Sequence, residues 1–139
     1  MIKLENPEKW KYEYIQSGFV HSYFLENDDV EKSLLYFCTP PIAVDEYNAR
    51  KMVDEEINFF LTKAKKRKEE NTDLVRVENQ EIIGLEFTGY SIIMFHKESY
   101  LLGLFSITDG HIVLTGHFTG PNEKWETAKK ILKSLKYKG

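Results

Sequence analysis

The sequence predicts an α+β fold: an antiparallel β-sheet of about six to seven strands, with one long helix and a C-terminal helix packed on it. Three observations carry this. Alternating, strand-like stretches come in runs with few crossovers, which suits an antiparallel sheet. From Asp45 onward, Ala49, Val53, Ile57, Phe60 and Ala64 recur three or four residues apart, the period of an amphipathic helix. Near the end of the chain, Trp125, Ala128, Ile131, Leu132 and Leu135 form one face of a second helix whose other face carries Lys129, Lys130, Lys133 and Lys136. A doubly wound parallel sheet is disfavoured, because it needs helices between most strands.

The elements follow in order. Asn6-Pro7-Glu8-Lys9-Trp10 reads as an opening turn. Lys11 to Gln16 alternates, Ser17-Gly18 is a turn signal, and Phe19 to Leu25 completes a hairpin. Glu26 to Asp29 is a polar loop, and Ser33 to Cys38 a compact apolar strand stopped by Pro40-Pro41. Asp45 is placed to cap the long helix, whose apolar stripe is flanked by Met52 and Leu61 and opposed by Asp54, Glu55 and Asn58. Beyond it the chain becomes β-rich. Leu74 to Glu78 is one strand, Glu81 to Lys97 reads as two strands or one long bent strand, and Tyr100 to Thr108 is another. Asp109-Gly110 is a two-residue hairpin signal before His111 to Phe118. Gly120-Pro121-Asn122 stops the sheet and starts the last helix.

At 139 residues, 42% hydrophobic and 29% charged, the chain fits one globular domain over residues 1–139, with enough length for a core without staples. A formal charge of −3 argues against nucleic acid as the main partner, since phosphate neutralisation needs a positive footprint. Cys38 is the one cysteine, which excludes an intramolecular disulfide framework, and its setting reads as a buried strand end. No run approaches the ~20 apolar residues of a membrane-spanning helix. The first eleven residues lack the apolar core of a signal peptide, so the expectation is a cytoplasmic protein.

The order of elements resembles the PsbP-like fold, shared by photosystem extrinsic proteins, a Ran-binding nuclear import factor and several bacterial families. The resemblance rests on the opening Asn6-Pro7-Glu8-Lys9-Trp10, on Ile83-Gly84-Leu85-Glu86-Phe87, and on Trp125 followed by Ile131-Leu132-Lys133-Ser134-Leu135-Lys136. These are packing positions, and no catalytic or binding residue carries over. The resemblance implies an adaptor, such as the chaperones that accompany secreted effectors, or an uncharacterised bacterial branch of the fold.

Candidate chemistry is sparse. His111 and His117 share a strand face, but at ~3.4 Å per residue they stand about 20 Å apart, too far to ligate one metal. Glu26, Asp28, Asp29 and Glu31 crowd one loop without calcium-loop spacing and read as a solvated turn. No nucleophile motif or phosphate-binding glycine pattern is present. The glycines fall in or between strands and suggest a strongly bent sheet. Lys63, Lys65, Lys66, Arg67 and Lys68 form a basic patch that could meet an acidic partner. The same run suits a helix C-terminus neutralised by Glu69-Glu70, which is the preferred reading. Were the two helices side by side, the C-terminal lysines would extend that patch.

Aromatic residues are the remaining signal. Neighbours in a strand point to opposite faces, so pairs such as Tyr36-Phe37 and Leu104-Phe105 place large apolar groups on both faces of the sheet. The expected function is therefore a non-enzymatic protein-binding module that needs no cofactor or metal. It would present a curved aromatic sheet to a protein partner or self-associate as a dimer, through Tyr23, Tyr90, Phe95, Tyr100 and Phe105. The competing expectation is a small-molecule or metal-binding protein, or an enzyme, with a cleft beside the meander and His96, His111 and His117 as its polar groups.

Overall fold

In a computed structural model, residues 2–29, 32–39, 46–70, 74–84, 86–96, 99–108 and 112–137 are described. Their order is β1 (Ile2–Lys3), β2 (Lys11–Ser17), β3 (Val20–Asn27), β4 (Ser33–Thr39), α1 (Glu46–Glu70), β5 (Leu74–Ile83), β6 (Phe87–His96), β7 (Ser99–Thr108), β8 (Ile112–Gly120), α2 (Asn122–Lys133) and β9 (Lys136–Tyr137). The class is α+β, as the sequence predicts. Seven strands form one sheet in the order β2-β3-β4-β8-β7-β6-β5, with every neighbouring pair antiparallel. The two-residue strands β1 and β9 pair separately and tie the two ends of the described chain together.

Alternation along each strand decides which face is dry. In β4, Ser33, Leu35, Phe37 and Thr39 are buried, while Leu34, Tyr36 and Cys38 are half-buried. The register carries this across the sheet: Tyr23 lies opposite Phe37, Leu25 opposite Leu35, and Leu35 opposite Phe118. With Ile82, Phe87 and Leu114 these residues make the inner face. On it lies α2, whose Trp125, Ala128, Ile131 and Leu132, with Leu135 beyond, all join the core. The Phe118 and Trp125 rings lie 5.4 Å apart. Each fully buried side chain of this size removes enough apolar surface from water to stabilise the fold by about 1.5–3 kcal/mol.

Several connections differ from the sequence reading. β5 ends at Ile83 and β6 begins at Phe87, so Glu81 to Lys97 is neither one bent strand nor two strands divided at Tyr90-Ser91. Gly84 explains the position. Its N–H donates to the Phe87 carbonyl at 2.7 Å, closing a tight connection. A Cβ there would sit 2.4 Å from the Lys133 carbonyl oxygen, so only glycine lets the end of α2 approach. Cys38 is half-buried, not sealed inside. The Asp45 cap and the Asp109-Gly110 turn lie outside the described residues, although Thr108 pairs with Ile112 on either side of the latter.

Candidate binding surface

The β2–β3 hairpin gathers four exposed large apolar side chains: Tyr12 (44% exposed), Ile15 (42%), Phe19 (83%) and Val20 (38%). Its turn is Gly18-Phe19, with Gly18 at φ 58°, a left-handed conformation that glycine adopts without strain. Since Ser17 and Val20 close a two-residue turn, the odd residues of β2 bond to β3 and the even residues turn their N–H and C=O groups outward. Because β2 ends the sheet, that side is an edge.

One end of this edge is closed by a side chain. The Trp10 N–H donates to Asn6 Oδ1 at 2.9 Å, and Asn6 Nδ2 donates to the Trp10 carbonyl at 2.8 Å. Asn6 thus makes the two bonds that a neighbouring strand would make. The turn behind it is held in place: Lys9 adopts φ 53°, and the Thr127 hydroxyl of α2 donates to the Glu8 carboxylate. Trp10 itself is buried. Between Asn6 and Gly18, and among the described residues, the outward groups of Tyr12, Tyr14 and Gln16 remain along a strand with no proline, glycine or bulge.

The hairpin is rigid where it meets the core. Tyr23 is fully buried and its hydroxyl accepts the Ile2 N–H at 2.9 Å. Its ring stacks on Phe37 at 4.9 Å and tilts against Tyr14 at 5.2 Å, and the Tyr14 hydroxyl shares a hydrogen bond with His21 Nδ1. Burial pushes both the Tyr12 and Tyr23 hydroxyls above their ordinary pKa, helped by the neighbouring tyrosine. Tyr23 is therefore a core residue and not the partner contact that the sequence suggests, because it lies on the inner face. The other four aromatics named from sequence are placed by backbone register alone, their side chains lying outside the described residues. Position 90 pairs with 105, and 95 with 100.

On the sheet's second face, Phe24, Tyr36 and His117 stand side by side across β3, β4 and β8 and are half-buried. Their ring centroids are 4.8 and 5.3 Å apart. Burial raises the Tyr36 hydroxyl pKa, with a hydrogen bond to Cys38 adding to it, and burial lowers that of His117. His96 pairs with Leu74 and Ser99 at the end of β6, His117 lies on β8 with β7 between them, and His111 is outside the described residues.

A groove of about 300 Å³ opens between the opening turn, the β3–β4 connection and α2, lined by Glu8, Lys9, Trp10, Glu26, Asp29 and Lys124 among others. Two of its carboxylates are engaged by lysines. Lys32 lies 2.5 Å from Glu26 and Lys124 lies 3.0 Å from Asp29, and these contacts hold both carboxyls below their ordinary pKa. Among the described residues no three His, Cys, Asp or Glu side chains are grouped to hold a metal, and no helix is long and apolar enough to cross a membrane. The basic patch sits in the last turns of α1, with Lys63, Lys65 and Lys66 exposed and the side chains of Arg67 and Lys68 outside the described residues. Among the described residues α1 lies against β5 to β8 while α2 meets β5 and β8, and the helices are not packed side by side.

The sequence reading missed Ile15 and Val20 as surface residues. The available signal was β2 itself, a first strand in a hairpin with apolar groups on both faces. No known family matches the chain, and no curated protein or solved structure is detectably similar to it.

Proposed function

We propose that this chain is a non-enzymatic protein-binding module, a cytoplasmic adaptor or chaperone-like protein of PsbP-like fold, which takes an extended segment of a partner onto the edge of β2. The observation that carries this reading is the open stretch at Tyr12, Tyr14 and Gln16, bounded by the Asn6 clamp and the Gly18 turn and flanked by exposed Tyr12, Ile15, Phe19 and Val20. Strand addition draws affinity from main-chain hydrogen bonds and specificity from side chains on alternating faces. Three residues offer six backbone groups, and each bond made is worth about 0.5–1.5 kcal/mol net. The exposed apolar groups add about 25 cal/mol for each Å² they lose to water. The rest of the hairpin is already ordered by the core, which lowers the cost of binding.

The test is affinity capture from native cells with wild type, Gln16→Pro and Phe19→Ser. Proline is tolerated on an edge but removes an outward N–H. A stoichiometric polypeptide lost with both variants, each folded by circular dichroism, supports the proposal. A partner retained by Gln16→Pro, or a co-purifying small molecule in place of a polypeptide, overturns it.

A further inference from the structure

The outward face of α1 carries large apolar side chains that remain exposed. Met52 is 43% exposed and Phe59 57% exposed, and seven residues apart they share one side of the helix. Between and beyond them the charge is divided. Asp54, Glu55 and Glu56 precede Phe59, and Lys63, Lys65 and Lys66 follow it, all exposed. Within the described residues no ion pair engages Glu55 or Lys63, and the Lys63 ammonium lies 5.4 Å from the centre of the Phe59 ring.

This arrangement is complementary to itself. When two such helices lie antiparallel about a two-fold axis at Phe59, residue i of one copy meets residue 118 − i of the other. Glu55 then faces Lys63 of the second copy and Lys63 faces its Glu55, both about 6 Å along the axis from Phe59 at ~1.5 Å per residue. Met52 lies against the aliphatic stem of Lys66, and the two Phe59 rings meet at the centre. Glu56 falls opposite Thr62, so no like charges oppose between Met52 and Lys66, and the contact ends there because the next pair outward sets Lys51 opposite Arg67. A two-fold contact must be self-complementary, and reversal of charge about Phe59 is what that symmetry requires.

We infer that the exposed Met52–Lys66 face of α1 is an interface between two copies of this chain. It is separate from the β2 edge, so it gives the binding module a second copy as partner without occupying the strand-addition site, and its failure leaves that proposal standing.

Sedimentation equilibrium on the purified full chain tests it, with Glu55→Lys, Lys63→Glu and the double reversal Glu55→Lys/Lys63→Glu. Wild type is expected to dimerise. Each single reversal places two like-charge contacts in the interface and is expected to raise the dissociation constant about tenfold or more, and the double reversal is expected to restore it to within about threefold. Both substituted positions are exposed, so folding is preserved, and circular dichroism checks it. A wild type that stays monomeric to high concentration overturns the inference. So does a dimer indifferent to the single reversals, or one that the double reversal fails to restore.

Discussion

The described side chains of the two helices lie in very different surroundings. α2, of 12 residues, turns Trp125, Thr127, Ala128, Ile131 and Leu132 inward and leaves Glu123, Glu126, Lys130 and Lys133 in water. Its ends are tied as well: Thr127 to Glu8, Lys124 to Asp29, and the Glu5 N–H to the Ser134 hydroxyl at 2.8 Å. α1 is 25 residues long, yet of its described side chains only Ala49 is buried, and Tyr47, Met52 and Phe59 are exposed. Apolar residues inside a helix pattern thus serve two ends: in α2 they hold the fold, and on the outer side of α1 they lie on the surface, where a partner can cover them.

The largest expected effect separates these roles. Trp125→Ala should cost about 3–5 kcal/mol in urea unfolding, because it empties a packed site next to Phe118. Phe59→Ala, a comparable loss of aromatic volume, should stay within about 0.5 kcal/mol at concentrations where the chain is monomeric. Equal losses would erase the distinction between the two helices.

Next comes the contact where α2 meets the meander. Gly84→Ala puts a methyl group against the Lys133 backbone, 2.4 Å from its carbonyl oxygen and 3.0 Å from its Cα. A backbone cannot swing aside as a flexible side chain can, so about 1–3 kcal/mol is expected from overpacking. Gly18→Ala meets nothing within 4 Å and should cost about 1 kcal/mol, for the left-handed φ alone. A milder effect at Gly84 than at Gly18 would mean that α2 is free to shift away from the sheet.

Asn6→Ala should cost about 1–2 kcal/mol by removing both hydrogen bonds to the Trp10 backbone. It also sharpens the view of β2 as an edge limited at one end, because the freed Trp10 groups lengthen the open stretch. Faster hydrogen exchange at Trp10, with Tyr14 unchanged, is the expected signature. Unchanged exchange at Trp10 would show that the clamp does not protect it.

What was legible in the sequence follows the same division. The inner face of α2 was readable residue by residue, because helical periodicity and core burial coincide at Trp125, Ala128, Ile131, Leu132 and Leu135. The β2–β3 hairpin was readable from Ser17-Gly18. The surface was not. Tyr23 and Tyr12 are both tyrosines in alternating strands, and only the position of β2 at the edge exposes one while β3 buries the other. Strand order is a long-range property, set by β4 pairing with β8 across about eighty residues of chain, which local pattern does not contain. The break at Gly84 was hidden for a similar reason, since the backbone that demands a glycine there belongs to Lys133.

The smallest effect tests the second face of the sheet through His117. Burial against Tyr36 lowers its pKa from the ordinary 6.5, because the charged imidazolium loses water there. The unfolded chain therefore binds a proton at a higher pH than the folded chain does. Between the two values the unfolded state carries more protons, so stability falls as pH drops through about 6.5 toward the folded pKa, and it is flat above. The slope is less than one proton, under about 1.4 kcal/mol per pH unit, and smaller for a half-exposed ring. Because the chain holds three other histidines, the quantity to follow is the difference between wild type and His117→Gln. The difference should shrink as pH falls from 7.5 to 5, since glutamine cannot take up the proton that weakens the wild type. A pH-independent difference would mean that His117 is hydrated as fully in the folded chain as in the unfolded one. The aromatic ladder from Phe24 to His117 would then be open to water along its length, and the second face would join the β2 edge as exposed binding surface.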